Sequence, residues 1–170
     1  MNRYVRFFQK ANTLMVGLQK VFLFSLMSLL SFGMLAEVIA RYIFDFSLFG
    51  LEQFIGYAAV WLYFIGAAYG SYERTHIKAE FINIIVSSEA HRNSIRAFAA
   101  ALSTLMSIIF TKWSWQFCAE SIAMGEAESA YGIPMVYFQA SLFVGGLLMS
   151  MYFFIETLDY TSQVSKRDRG

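Results

Sequence analysis

The sequence contains few of the residues on which enzyme sites and disulfide-stabilised folds depend. It has one cysteine, Cys118, one proline and two histidines in 170 residues. A single cysteine excludes an intrachain disulfide framework, and thiol oxidoreductases use cysteine pairs. His76 and His91 lie in one segment between hydrophobic stretches, so the sequence lacks histidines on facing membrane helices, where haem is held. No metal-ligand cluster, phosphate loop or nucleophile motif is found. The sequence predicts no enzyme, no metal site and no cofactor.

Charged residues are also scarce. Charged residues make up 15% of the chain, whereas they make up about 25% of a typical soluble domain. Hydrophobic residues make up 58%, against about 45–50% in a soluble domain. The net charge of +1 gives no reason to expect the basic face of a nucleic-acid-binding protein. A chain this hydrophobic is not disordered. The composition therefore favours a membrane protein.

Four long hydrophobic stretches predict transmembrane helices at about 21–42, 52–72, 95–117 and 134–156. Each approaches the length of about 20 residues that a helix needs to cross the hydrocarbon core. The first stretch is too long for the apolar region of a cleaved signal peptide, and no clear small-residue cleavage site follows it. We interpret it as a retained anchor, and the whole chain, 1–170, as a single membrane domain.

The positions of lysine and arginine predict the orientation. Most of the 13 basic residues lie before the first span, between the second and third spans, or in the C-terminal tail. Basic residues concentrate on the cytoplasmic side of membrane proteins. Both termini are therefore predicted to be cytoplasmic, and the connections 43–51 and 118–133 are predicted to face outward.

Two shorter segments have the pattern of amphipathic helices. Apolar residues recur at spacings of three and four in 4–18 and share one face of 76–88. Such helices lie in the membrane interface. The alternative for 4–18 is a cytosolic helix packed on the bundle. The predicted fold class is an all-α membrane protein with four transmembrane helices and two interfacial helices, one N-terminal and one mid-chain.

Charged residues near the ends of the first two spans are the main candidates for ion pairing or ion binding. Glu37 and Arg41 lie one turn apart on one helical face, where they can pair. Glu52 opens the second span, where a carboxylate complements the positive end of a helix, and it could also meet Arg41 across the short connection. A structural ion pair is the favoured interpretation. A partner-subunit contact and a proton or cation site stay open for Glu37.

The second span carries the candidate packing surface. Trp61 lies mid-span, where an interfacial aromatic residue would not lie, so it is predicted to pack within the bundle or against another subunit. Gly66 and Gly70 form a G-x-x-x-G pattern, which lets helices approach closely. No span has a polar cluster at the membrane midplane, where secondary transporters bind substrate. The chain therefore resembles an accessory or scaffold subunit.

Several segments together resemble the small membrane subunit of tripartite ATP-independent periplasmic (TRAP) transporters, the DctQ-like family. They span roughly 20–156, and their order and spacing are more specific than any one of them. One departure is Glu52-Gln53, where the family often has paired acids. The segments are Arg41–Phe44, Glu52, Trp61–Ala68 leading into Arg74–Glu80, and Gly132-Ile133-Pro134.

The resemblance implies a small scaffold subunit in the bacterial inner membrane. Its transporter would be a sodium-coupled, binding-protein-dependent secondary transporter that imports an organic acid, of the sialic acid or dicarboxylate class. A large membrane subunit would carry the substrate and sodium sites and move as an elevator, and a periplasmic binding protein would capture the substrate.

Two contact surfaces follow as expectations, besides contact with membrane lipids. Trp61, Gly66 and Gly70 are expected to face the large subunit. The outward surface is expected to contain the ion pair and to help dock the binding protein. Its residues are Glu37, Arg41, Asp45, Glu52, Glu120, Glu126 and Glu128.

Two other functions remain open from the residues alone. One is a self-sufficient small proton-coupled exporter that uses Glu37. The other is a membrane subunit that anchors a soluble enzyme or redox complex. Solute flux through the purified chain would distinguish the first from a scaffold, and co-purifying partners would identify the second.

Overall fold

The computed structural model of the chain describes residues 3–46, 50–73, 89–129 and 131–167, and these form four helices. Every helix contains a segment long and apolar enough to cross a membrane. The prediction of four transmembrane helices is therefore confirmed. The helices are α1 (Arg3–Ile43), α2 (Leu51–Glu73), α3 (Glu89–Met124) and α4 (Val136–Arg167).

The N-terminal part of α1 differs from the expected arrangement. Residues 4–18 are helical, but they continue into the first span as one helix of 41 residues. No proline interrupts this region, since the only proline of the chain is Pro134. A separate interfacial helix at 4–18 is therefore not seen. The second predicted interfacial helix, 76–88, lies outside the described residues.

Helix α3 also runs further than the hydrophobic pattern indicated. It continues past 117 to Met124, so Glu120 lies on the helix and not in the connection. Glu120 and its polar neighbours end the apolar run, but they are compatible with helix. The helix stops at Gly125, whose φ of 65° is the left-handed conformation that glycine adopts at helix ends.

The four helices alternate in direction and pack in the order α1, α2, α4, α3. Helices α2 and α4 run parallel, because Tyr57 stacks on Phe138 at 3.7 Å and Tyr72 contacts Tyr152 at 5.4 Å. The described residues between α1 and α2 (44–46 and 50) and those between α3 and α4 (125–129 and 131–135) therefore lie at one end of the molecule, which we call the loop end. Arg3, the first described residue, and Arg167, the last, lie at the other end, which we call the terminal end.

A stripe of buried or partly buried residues attaches α1 to its neighbours. Its members alternate at spacings of three and four, as in a coiled-coil seam. Gly33 on this stripe lets α2 approach, since a Cβ there would lie 3.0 Å from Cδ1 of Ile55. The other faces of α1 are largely exposed and apolar. The stripe comprises Asn12, Val16, Gln19, Leu23, Leu26, Leu30, Gly33, Glu37 and Ala40.

Hydroxyl groups line the contact between α3 and α4. The Oγ1 atoms of Thr104 and Thr157 are 3.1 Å apart, and Thr111 Oγ1 lies 3.2 Å from Ser150 Oγ. Interhelical hydrogen bonds of this kind are worth about 0.6 kcal/mol on average in membrane helices. They hold the two antiparallel helices in one register.

Two glycines set the distance between α4 and its neighbours. A Cβ on Gly145 would lie 2.7 Å from Cβ of Phe64 and 2.9 Å from the Phe64 carbonyl oxygen. A Cβ on Gly146 would lie 3.0 Å from a ring carbon of Phe110 on α3. Backbone contact between α2 and α4 therefore depends on the missing side chain at Gly145.

Candidate functional site

The ionisable residues at the loop end of α1 and α2 form one cluster. Arg41 Nη2 donates to Glu37 Oε1 at 2.9 Å and approaches Glu52 Oε2 at 3.4 Å. Helical spacing places the first pair on one face of α1, and the short connection brings the start of α2 to the same guanidinium. The structure therefore brings Glu37, Arg41 and Glu52 together.

The three members of this cluster differ in exposure. The Glu37 side chain is only 8% exposed, whereas Arg41 is 51% and Glu52 is 75% exposed. Glu37 occupies a position of the α1 stripe, and its Oε2 atom has no hydrogen-bond partner among the described residues. Arg41 and Glu52 are thus accessible to a partner, while Glu37 mainly holds the arginine in place.

Asp45 does not join the cluster. It follows the end of α1 with a positive φ of 49°, a conformation in which Asp and Asn are tolerated better than most side chains. The Phe46 amide donates to the Ala40 carbonyl at 3.0 Å, which caps the last turn of α1. The role that the structure shows for Asp45 is to reverse the chain after the helix.

The acidic residues after α3 belong to a hairpin, whose described residues are 125–129 and 131–135. Ala127 and Pro134 form an antiparallel bridge, and the Tyr131 amide donates to Glu128 Oε2 at 2.7 Å. Glu128 is buried, with 4% of its surface exposed. It therefore stabilises the hairpin from within and does not project from it.

Glu126 and Glu120 differ in whether their carboxylates are held by hydrogen bonds to other parts of the chain. Glu126 Oε2 accepts from Ser121 Oγ at 2.9 Å and lies 3.4 Å from Nε2 of Gln139, so it ties the hairpin to both α3 and α4. Glu120 is exposed on α3. Of the three acids expected to form an outward patch, Glu120 and Glu126 are exposed, and only Glu120 has no hydrogen bond described above that holds it to the rest of the chain.

A contact that the sequence did not indicate joins the two connections. Gly50, with φ of 84°, lies beneath Tyr131, and a Cβ there would lie 2.5 Å from ring carbons Cε2 and Cζ of the tyrosine. Gly50 also begins α2, since its carbonyl accepts from the Phe54 amide at 3.0 Å. The ion cluster and the hairpin therefore form one continuous loop-end surface.

The candidate large-subunit residues on α2 fall into two groups. Trp61 Nε1 donates to the Tyr137 carbonyl at 3.2 Å, and its ring meets the edge of Phe22 at 6.2 Å. A Cβ on Gly66 would lie 3.8 Å from Leu23 of α1, whereas nothing lies within 4 Å of one on Gly70. Trp61 and Gly66 thus face helices of this chain, and Gly70 faces open space.

A polar cavity of about 510 Å³ lies at the terminal end, between α1, α2 and α4. Beside it, the Tyr152 hydroxyl donates to Gln19 Oε1 at 2.7 Å, which links α1 to α4. Within the described residues, no three acidic, histidine or cysteine side chains are arranged to hold a metal ion. The lining residues are Asn12, Ser71, Tyr72, Glu73, Tyr152, Ile155, Glu156 and Asp159.

Comparison with protein families gives a match to most of this fold. The sequence profile of the family described as tripartite ATP-independent periplasmic transporters, DctQ component, matches residues 30–161. The chain belongs to the DctQ family. The resemblance drawn from the sequence is thereby confirmed. A comparison with curated proteins finds no match.

Membership of the DctQ family identifies the general role of the chain. A DctQ component is a small part of a TRAP transporter, and it works with a large membrane subunit and a binding protein. The four apolar helices fit a multi-pass membrane protein. The matched region contains the ion cluster, the hairpin and the α2 surface, but it begins within α1 and leaves 1–29 unmatched.

Proposed function

We propose that this DctQ component is the small scaffold subunit of a sodium-coupled transporter that imports an organic acid across the bacterial inner membrane. It braces a large elevator subunit, which carries the substrate and the sodium ions. Its loop end faces the periplasm and helps to dock the binding protein, and both termini are cytoplasmic.

One observation carries this proposal: the described polar groups at mid-depth hold the helices together. Thr111 donates to the Ser107 carbonyl at 2.7 Å, and Ser150 donates to the Gly146 carbonyl at 2.9 Å, beside their contact with each other. The described polar cavity lies at the terminal end and not at mid-depth. Transporters place their substrate sites near the midplane, on interrupted helices. A chain arranged in this way is suited to act as a fixed scaffold for a moving subunit.

The proposed contact with the large subunit uses the open side of α2. Gly70 supplies accessible backbone at membrane depth, where small residues let a partner helix approach. Trp61 and Gly66 belong to the same proposal as positioning residues, because their contacts with α1 and α4 fix how α2 is presented. Removal of the Trp61 side chain would loosen this surface without touching the partner directly.

The proposed contact with the binding protein uses the loop end. Its exposed charged residues are Arg41, Asp45, Glu52, Glu120 and Glu126. The surface is held in shape by contacts of its acidic residues. Glu37 pairs with Arg41, Asp45 turns the chain after α1, Glu126 joins the hairpin to α3 and α4, and Glu128 bonds within the hairpin. Charges at the rim of an interface mainly change the association rate and its salt dependence.

The experiment uses the three components in proteoliposomes with an inward sodium gradient. Labelled sialic acid and a labelled four-carbon dicarboxylate serve as alternative substrates. Uptake is expected only with the DctQ chain, the large subunit and the binding protein all present, and Trp61→Ala or Arg41→Glu should lower it. The binding protein should still capture substrate in solution. Normal uptake without the DctQ chain would overturn the scaffold role.

A further inference from the structure

An open groove of about 520 Å³ runs between α3 and α4. Lipid tails are as apolar as the side chains of its walls, so the walls alone do not distinguish a lipid from a protein helix. The charged residue of the groove makes that distinction. The exposed apolar side chains of the walls are Ile108 and Trp115 on α3 and Leu147, Met151 and Phe154 on α4.

Among the described residues that line the groove, only Lys112 is charged. It is exposed and adjoins Thr111, whose hydroxyl oxygen lies 3.2 Å from that of Ser150. At a rise of about 1.5 Å per residue, Ser150 lies about 21 Å from the start of α4. On the same scale Lys112 lies about 12 Å from Glu120, the next charged residue on α3 towards the loop end. In a hydrocarbon core about 30 Å thick, these distances place Lys112 towards the midplane and not among the headgroups.

The direction of α3 turns this lysine away from the nearer interface. Side chains of a helix incline towards its N-terminus, and α3 begins at the terminal end. The Lys112 side chain therefore leans towards the middle of the membrane, and its four-carbon stem is shorter than the distance back to Glu120. Among the described residues, no carboxylate lies within 4 Å of its ammonium group. Ionisable residues at such a depth pair with one another or line aqueous cavities, and this groove is apolar, so the charge requires an anion from outside the chain.

A second copy of this chain does not offer that anion. Glu37 and Glu156, which lie inside spanning segments, are buried. The exposed carboxylates that the structure describes lie near the ends of spanning segments or in the connections, and they are Asp45, Glu52, Glu73, Glu120, Glu126 and Asp159. Lipid phosphates lie at the interface, beyond the reach of Lys112. The remaining source of a carboxylate at this depth is a helix of another membrane protein.

We propose that this groove receives a transmembrane helix of the large subunit, and that an aspartate or glutamate of that helix pairs with Lys112. The partner is the large subunit of the proposed function, on which this contact depends. It is a second contact, separate from the open side of α2. The apolar walls pack against the partner helix, while the ion pair sets its depth, because an unpaired charge in lipid disfavours other positions.

The test uses the chain co-expressed and purified with the large subunit. Dicyclohexylcarbodiimide, a hydrophobic reagent, joins a lysine amine to a carboxylate in direct contact by forming an amide, and the reagent leaves as the urea. Mass spectrometry should find Lys112 joined to an aspartate or glutamate within a transmembrane helix of the large subunit. Lys112→Arg should lose the cross-link but retain co-purification, since the charge remains. Lys112→Leu should lose the cross-link and lower co-purification severalfold.

Lys20→Arg is the matched control, because Lys20 is exposed on α1 and lies outside the groove. It should change neither co-purification nor the cross-link at Lys112. The isolated Lys112→Leu chain should denature at the wild-type temperature or above, since no described carboxylate pairs with this lysine.

Four results would each overturn the proposed contact while leaving the scaffold role intact. They are a lower denaturation temperature for the isolated Lys112→Leu chain, undiminished co-purification of that variant, no cross-link from Lys112 in the assembled complex, and a cross-link to a second copy of the chain. If the wild-type chain does not co-purify with the large subunit at all, the proposed function fails together with this contact.

Discussion

Gly50, the residue before α2, lies directly beneath the ring of Tyr131 in the hairpin between α3 and α4. This contact joins the two connections of the loop end, although 80 residues of sequence lie between Gly50 and Tyr131. It places the ion cluster beside the hairpin, so a binding protein would meet one continuous surface.

Gly50→Ala should destabilise the chain by about 2 kcal/mol, because alanine is strained at positive φ. Tyr131 is half exposed and its ring can move, so the backbone conformation accounts for most of the loss. Thermal denaturation of the purified chain in detergent measures the effect. Gly56→Ala is the control, since Gly56 is helical and a Cβ there meets nothing within 4 Å. Equal stability of the two variants would show that Gly50 is not constrained.

Gly145→Ala should destabilise the chain by about 2–3 kcal/mol, as overpacking does in closely packed interiors. The new Cβ would meet the backbone of Phe64 at 2.9 Å, and a carbonyl cannot rotate away as a flexible side chain can. The same denaturation assay applies. Gly66→Ala is the matched control, because its Cβ would make an ordinary 3.8 Å contact. If both substitutions are harmless, α2 and α4 are further apart than described.

Gly70→Leu should affect assembly with the large subunit but not the folding of the isolated chain. The isolated chain should keep its stability, because a side chain at this position enters open space. Co-purification with the large subunit should fall severalfold if α2 packs there, since a bulky residue prevents close helix approach. Gly56→Leu provides the comparison on the same helix. Undiminished assembly of the Gly70 variant would place the large subunit on another face.

Arg41→Gln should lower thermal stability more than Glu52→Gln. The first change leaves the buried Glu37 carboxylate without its cation, whereas Glu52 is 75% exposed, and exposed pairs contribute little. A second change, Glu37→Gln, should restore much of the loss in a double-mutant cycle. Additive effects of the Glu37 and Arg41 substitutions would mean that the pair does not couple.

The number of transmembrane helices could be predicted from the sequence, because four long hydrophobic stretches with few charges each approach the length needed to cross a bilayer. Helix ends were less predictable. Glu120 ended the hydrophobic run after the third span, but α3 continues to Met124, since loss of hydrophobicity does not break a helix. In the same way, a change of pattern after residue 18 did not end α1.

Site residues were predictable where helical spacing decides the contact. Glu37 and Arg41 are one turn apart, and the structure pairs them. The residues that contact Trp61 could not be predicted from the sequence, because they depend on how α1 and α4 pack around α2. Gly50 and Tyr131 meet only after both connections have reached the same end of the molecule, and nothing local in either segment signals that contact.

The central claim is that this DctQ chain supports a transporter and has no solute pathway of its own. The purified chain alone, reconstituted in liposomes, tests this claim directly through uptake of labelled sialic acid or dicarboxylate under sodium and proton gradients. The account predicts uptake no greater than in protein-free liposomes, with no change for Glu37→Gln. Uptake above that level, abolished by Glu37→Gln, would contradict the account and favour a self-sufficient carrier that uses this carboxylate.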